Sequence, residues 1–390
     1  MYKVLTDRTH IKKKMKKKKL LLISQSGRGG LRRHLCDLML NLDYEIFEVW
    51  VAYNDDAIDD IFRQTIEQLS GKITPIHINN LVRELNLKED IKAYLRLSKL
   101  IKKVKPDIVH CHSSKAGVLG RIAAKRRRVN KIFYTPHAYS FLSTEFSKRK
   151  KYSFIRIEKF LSRNATTKTF NVSNSEKYSA LEYNIDNDKK LKVIYNGLVS
   201  QTKENILDKQ DSLRKKLKIK DSSYIIGNMA RVESQKNPQL FNNIAHKAYS
   251  DGKDIAFIWI GDGSLKNKVQ QNSSDNTYFL NFSEKNSNYL SEFDGYISTS
   301  DYEGLPYSPL EALQEGIPVF LSDVVGHDEI VEDGVNGKLY NPDNILVNIQ
   351  ELYDFIDWSK TSDKQAIKKS VTDKFSIDNM ILEISSEYLV

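Results

Sequence analysis

Cysteine is scarce in this chain of 390 residues: only Cys36 and Cys111 are present, and neither belongs to a CxxC pair. Two thiols cannot staple a chain of this length, so a disulfide framework is excluded and a reducing compartment is the default. Sequons such as Asn164-Ala165-Thr166 then carry little weight, because glycosylation requires a secretory route. Long apolar runs are missing too. After the lysine-rich residues 12–19 the apolar stretch 20–23 is only four residues long before Ser24-Gln25-Ser26-Gly27. An exported signal needs about 7 to 15 apolar residues and a membrane span about 20. Neither export by this signal nor a spanning segment is expected. Met15, followed by four lysines and a strand pattern, has the form of a translation start, which leaves residues 1–14 as an extension or a mis-assigned start. No short-period repeat recurs, which excludes solenoids and propellers.

What is present is ordinary for a globular protein. Hydrophobic residues make up 40%, enough for buried cores, and the length favours two or three domains at roughly 150 residues each. The net charge of +11 hides an asymmetry: residues 1–195 carry +21 and the remainder −10. The excess concentrates in residues 12–19, 125–128 and 148–151, the last followed by Tyr152 and Phe154. Such clusters suit an anionic membrane surface or nucleic acid, at about 1 kcal/mol per cation near an acidic leaflet. A solvated face explains any one of them slightly better, but three in one half shift the balance towards a surface partner.

Short apolar runs alternate with helical periodicity along most of the chain. Strands are expected at 20–24, 46–53, 72–78, 107–111, 131–135, 169–172 and 191–194, then at 224–228, 255–260, 277–280, 295–298 and 318–322. Helical patterns such as 90–104 and 149–163 separate them, and the last helix is expected at 377–388. This alternation predicts the α/β class, with parallel sheets covered on both faces. Two doubly wound Rossmann-like domains fit, 1–196 (with 1–19 as a basic extension) and 197–390, with the ligand in the crevice at the strand carboxyl ends.

The most informative stretch is Ser300-Asp301-Tyr302-Glu303-Gly304-Leu305-Pro306-Tyr307-Ser308-Pro309-Leu310-Glu311-Ala312. Ser308, Pro309 and Glu311 have the spacing of an N-cap, a first-position proline and a capping box, a purely structural explanation for Glu311. The same helix N-terminus can hold a phosphate while a first-turn carboxylate accepts hydrogen bonds from a sugar diol. Glu303, in the turn before the helix, lacks such a structural explanation. Arg231 and Lys236, five apart after another strand, can neutralise a pyrophosphate as planar fork and point charge. Taken alone, that pair is better explained as two exposed loop cations. Gly261-Asp262-Gly263 is a weak strand-end turn, and Gly27-Arg28-Gly29-Gly30 allows close phosphate approach without the full GxGxxG spacing.

Taken together, Arg-x4-Lys, Gly-x-Gly, Glu-x7-Glu at Glu303 and Glu311, Gly316-Ile317-Pro318-Val319, and Ser322-Asp323 through Gly326, Glu329, Gly334 and Gly337 resemble the retaining glycosyltransferases of family 4. Gly29-Gly30, His110-Cys111-His112 and Thr135-Pro136-His137 extend the resemblance over nearly the whole chain. The resemblance implies the GT-B fold, two such domains facing across a cleft. It also implies that Arg231 and Lys236, with Gly30, Gly304 and Leu305, hold the donor pyrophosphate, that Glu311 holds the ribose, that Glu303 contacts the transferred sugar and that His137 reaches the reacting centre. The nucleotide-sugar is a substrate, and no metal or cofactor is expected. Two departures, His327-Asp328 and Ala138 after His137, leave sugar and acceptor selectivity open.

Around Tyr134-Thr135-Pro136-His137-Ala138-Tyr139-Ser140-Phe141 the chain is similar to transferases of capsule, O-antigen and exopolysaccharide synthesis. The expected acceptor is a polyprenyl-diphosphate-linked saccharide, with the enzyme peripheral on the cytoplasmic face of an anionic membrane and no nucleic acid bound. A soluble acceptor, or a non-catalytic basic binding protein on the same scaffold, are the alternatives. A metal site at His110 and His112 would need further ligands, with Cys111 on the other strand face. Asp186-Asn187-Asp188 is read as a loop, and Tyr152, Phe154, Ile157 and Phe160 as mostly core, with membrane contact as the lesser alternative.

Overall fold

The computed structural model describes residues 16–82, 86–199, 212–283 and 288–390; residues 12–15 of the first basic cluster therefore lie outside the described part. Seven parallel strands build the first sheet: β1 (Lys18–Ser24), β2 (Phe47–Tyr53), β3 (Ile73–His77), β4 (Ile108–His112), β5 (Lys131–Thr135), β6 (Lys168–Asn171) and β7 (Leu191–Val193). Six more, also parallel, build the second: β8 (Tyr224–Met229), β9 (Ile255–Ile260), β10 (Thr277–Leu280), β11 (Gly295–Ser298), β12 (Val319–Ser322) and β13 (Gly337–Tyr340).

The apolar runs behave as buried strands because both faces are covered. In β1, Leu20 and Leu22 feed one core while Leu21 and Ile23 feed the opposite one. In β9 all six residues are buried, alternating between two cores in the same way. The sheet orders, β3-β2-β1-β4-β5-β6-β7 and β10-β9-β8-β11-β12-β13, both reverse direction after their first strand. Each reversal, between β1 and β4 and between β8 and β11, opens a crevice at the strand carboxyl ends. Strand β13 is an addition to the expected set. It is a four-residue edge strand beside β12 alone, and its Gly337 allows close approach: a Cβ there would stand 2.2 Å from the Val319 carbonyl oxygen.

The expected boundaries of the second domain, 197–390, are corrected at the chain's end. The last helix, Ile377–Leu389, packs on the first domain: Ile377, Met380, Ile384 and Tyr388 share a core with Leu20, Leu22 and Phe47. The chain thus crosses between domains twice, at Gly197 and at Ser376. The crossings lie side by side, with Leu198 N–H donating to the Phe375 carbonyl at 2.6 Å and Ile377 N–H to the Leu198 carbonyl at 3.0 Å. Gly197 is required there, because a Cβ would stand 2.5 Å from the Ile377 Cα. Among the described residues, no helix is long and apolar enough to cross a membrane.

Candidate active site

Two helix N-termini face one another across the cleft. After β1 the chain turns through Gly29, at φ +61°, into helix Gly29–Asn41; after β11 it enters helix Tyr307–Gln314. Neither helix has a side-chain cap or an acidic residue in its first turn, so their free N–H groups and positive dipole ends are unneutralised. A Cβ on Gly30 would stand 3.7 Å from the Tyr307 ring, and one on Gly29 would stand 3.9 Å from Nε of Arg231. Among the described residues the backbone N–H groups of Gly304 and Leu305 donate to no acceptor. An anion fits this geometry.

The expected capping box is absent. The second helix starts two residues earlier than Ser308-Pro309 suggest, with Pro306 as its N-cap. Glu311 therefore sits in the second turn with no capping duty, and its Oε1 lies 3.7 Å from Nη1 of Arg33 on the facing helix.

Glu303 and Lys236 form a direct ion pair. Lys236 ends a short turn whose carbonyl accepts from Thr299 Oγ1 at 2.9 Å, and Asn237 then caps helix Pro238–Ser250. Glu303 is 5% exposed, and its Oε1 also accepts from Ser300 Oγ at 2.6 Å. Burial opposes ionisation of this carboxyl, but the Lys236 ammonium, neighbouring His327 and the two hydrogen bonds outweigh it and hold Glu303 below the usual carboxylate range. Behind it, Gly326 at φ +89° would place a Cβ 2.6 Å from the Gly304 carbonyl oxygen, so the donor loop is packed against bare backbone. His327, one of the two departures, is buried, with Nδ1 donating to the Ser322 carbonyl at 2.8 Å.

His137 and Ala138 both occupy left-handed backbone, at φ +54° and +76°. Glu176 holds this bend: its carboxylate accepts from Ala138 N at 2.7 Å and Val172 N at 2.8 Å. Burial pushes the Glu176 carboxyl up to about 7 despite those bonds. The bend touches the other domain, since a Cβ on Gly304 would stand 2.9 Å from Ala138 N. His137 Nε2 lies 3.2 Å from Nδ1 of His112, and His34 packs edge-on to the His137 ring at 4.7 Å. His34, His112 and His137 each bring a ring nitrogen within 4.8 Å of the others, a spacing that can hold a metal ion. Burial lowers the pKa of all three, so they are neutral at pH 7. His110 differs: Tyr388 Oη at 2.6 Å and Thr135 Oγ1 at 2.8 Å occupy both its nitrogens, and Cys111 faces the opposite core.

The structure thus brings Gly30, Arg231, Lys236, Glu303, Gly304, Leu305, Glu311 and His137 to one cleft between the switch points. Asp186-Asn187-Asp188 precedes β7 and so lies at the other end of the sheet, where Asp186 accepts from Ser162 at 2.8 Å. Gly261 and Gly263 serve packing, since Cβ atoms would strike the carbonyls of Ala230 and Val232. Sequence reasoning missed His34, Glu176 and Asn196. No spacing pattern marks them; only the fold gathers them around the His137 bend.

Residues 28–201 match the family model Glycosyltransferase Family 4, and residues 209–366 match Glycosyl transferases group 1. An Escherichia coli relative, UDP-Gal:alpha-D-GlcNAc-diphosphoundecaprenol alpha-1,3-galactosyltransferase, is 30% identical over 72% of this chain and 74% of its own. The E. coli O-antigen biosynthesis glycosyltransferase WbnH is 30% identical over 74% and 78%. Among solved structures, Anabaena HepE in complex with UDP-glucose superposes with a TM-score of 0.72 at 20% identity, covering 95% of this chain and 98% of that one. Fold, sequence and family model agree: this chain is a GT-B glycosyltransferase and belongs to family 4.

Proposed function

We propose that the protein transfers a sugar from a nucleoside-diphosphate donor, a UDP-sugar in the first instance, to a polyprenyl-diphosphate-linked saccharide, with retention of anomeric configuration and without a catalytic metal. The observation that carries this reading is the pair of facing, uncapped helix N-termini with Arg231 and the Lys236–Glu303 pair beside them. Departure of a nucleoside diphosphate leaves negative charge on its β-phosphate. The backbone N–H groups of Gly304 and Leu305, together with the Arg231 guanidinium and the Lys236 ammonium, can stabilise that charge, and losing one such donor typically costs on the order of 100- to 1,000-fold in rate. Glu311 is free of capping and available to the ribose. Glu303, neutralised by Lys236, is a poor nucleophile, which favours same-face attack with the leaving phosphate taking the acceptor proton over a double displacement.

The lipid-linked acceptor is supported by the E. coli relative, whose name gives a diphosphoundecaprenol-linked GlcNAc as its acceptor, and the biosynthetic setting by the O-antigen relative. Placement at the cytoplasmic face of the membrane is supported by that acceptor and by helix Lys148–Ala165, which starts at the cleft end of β5 with residues 148–150 exposed. Tyr152, at 61% exposure, and Phe160, at 63%, stand out from the same helix, as does Ile157. This corrects the expectation that these side chains are mostly core; only Phe154 packs inward. The cluster 125–128 ends a helix that returns from the cleft to the start of β5, so among the described residues of the basic clusters only 148–151 share the cleft's end.

A donor panel with EDTA present, scored for nucleoside diphosphate release with and without lipid-linked acceptors, tests the proposal. Release that depends on a lipid-linked acceptor and persists in EDTA is the expected result. Turnover on soluble saccharides alone would replace the acceptor assignment, abolition by EDTA would refute metal independence, and no turnover on any pair would leave a binding protein.

A further inference from the structure

One buried carboxamide joins the donor loop to the histidines. Asn196, at the first crossing between domains, is 3% exposed. Its Nδ2 lies 2.7 Å from the Leu305 carbonyl oxygen. A carbonyl only accepts, so the amide nitrogen must face Leu305 and Oδ1 must face the first domain. There Oδ1 stands 3.0 Å from Nδ1 of His34. An amide oxygen also only accepts, so the His34 proton resides on Nδ1 and Nε2 is left as a lone pair. That Nε2 is buried and has no partner among the described residues, and the His34 ring lies edge-on to His137 and tilted to His112, at 4.7 and 5.5 Å. The position of a backbone carbonyl in the second domain thus sets the tautomer of a histidine in the first.

We propose that Asn196 and His34 form an interlock: seating of the donor loop at Leu305 fixes the His34 ring and its tautomer, and His34 in turn orients His137 for transfer. Both are positioning residues, acting through His137 rather than on substrate. When the domains part, Asn196 loses the Leu305 carbonyl, its amide is free to rotate, and the His34 ring is no longer held. Orientation of His137 is therefore coupled to closure over the donor. The inference rests on the cleft being the sugar-transfer site.

The test uses the full-length protein with 15N-labelled histidine, read by ring-nitrogen NMR with saturating UDP, together with steady-state kinetics. Wild type should show His34 in the Nδ1–H form, and Asn196→Ala should lose that form. Asn196→Ala and His34→Ala should lower kcat by 10- to 100-fold, and His34→Ala, which touches no residue of the donor loop, should leave donor KM within about threefold. His34→Gln, which keeps a donor for Asn196, should recover part of the loss. An Nε2–H form in wild type, or wild-type kcat in both alanine variants, overturns the interlock. The wild-type spectrum needs neither turnover nor a variant that folds, so the interlock can fail while sugar transfer stands, and the reverse.

Discussion

Ala138 holds left-handed backbone that glycine adopts without strain, at a position where family 4 commonly has glycine. The conformation costs a non-glycine residue roughly 1–2 kcal/mol, and the Glu176 hydrogen bond to Ala138 N helps to hold it. Ala138→Gly should therefore raise stability by about 0.5–1 kcal/mol after the entropy of the freer unfolded chain is subtracted, seen as a higher urea midpoint. Glu176 itself makes a pH prediction. Its folded pKa, about 7, lies above the unfolded value of 4.5, so its contribution is fully present below about pH 4.5 and is lost as pH rises through 7. The loss amounts to roughly 3 kcal/mol at about 1.4 kcal/mol per unit. In urea unfolding, the stability of wild type relative to Glu176→Gln should fall by about that amount between pH 5 and pH 8, the difference removing the slopes of Asp37 and the buried histidines, which both proteins share. Glu303 and Lys236 were legible in the sequence because a motif spaces them. Glu176, His34 and Asn196 were not, because their meaning lies in partners 38, 162 and 109 residues away.

At the scale of elements, apolar runs marked the interior strands to within two residues because those strands are buried on both faces and have no polar alternation to confuse them. The misses have physical causes. Strand β13 is an edge strand of four residues opening on glycine, and helix Tyr307–Gln314 begins at Pro306 although Ser308-Pro309 resembles a start. Pro309 is tolerated inside the first turn because its missing N–H would have had no partner there. Helix Lys148–Ala165 carries its own prediction. Its exposed aromatics contribute nothing to the core, so Tyr152→Ser with Phe160→Ser should leave the unfolding midpoint within about 0.5 kcal/mol. The same pair should weaken binding to anionic vesicles, and neutralising residues 148–151 should weaken it further and remove its salt dependence. Equal binding to anionic and neutral vesicles would show that charge does not draw the protein to lipid.

For the molecule as a whole, the last helix completes the core of the first domain. Ile384 is buried in the first core, so Ile384→Ala should cost about 2–5 kcal/mol. The cost should register first in Trp50 fluorescence, from the first sheet, rather than in Trp259 or Trp358, once each is isolated by replacing the others with Phe. The double crossing at Leu198 and Ser376 also bears on how the protein is made. A multidomain chain usually folds its N-terminal domain first during synthesis, at about 5–20 residues per second. Here the apolar face of the first sheet waits for a helix that emerges only after the whole second domain, a delay of roughly 10–40 seconds at that rate. During that interval the nascent first domain displays the surface that Met380, Ile384 and Tyr388 will later cover, and it is then a natural client for a ribosome-associated chaperone.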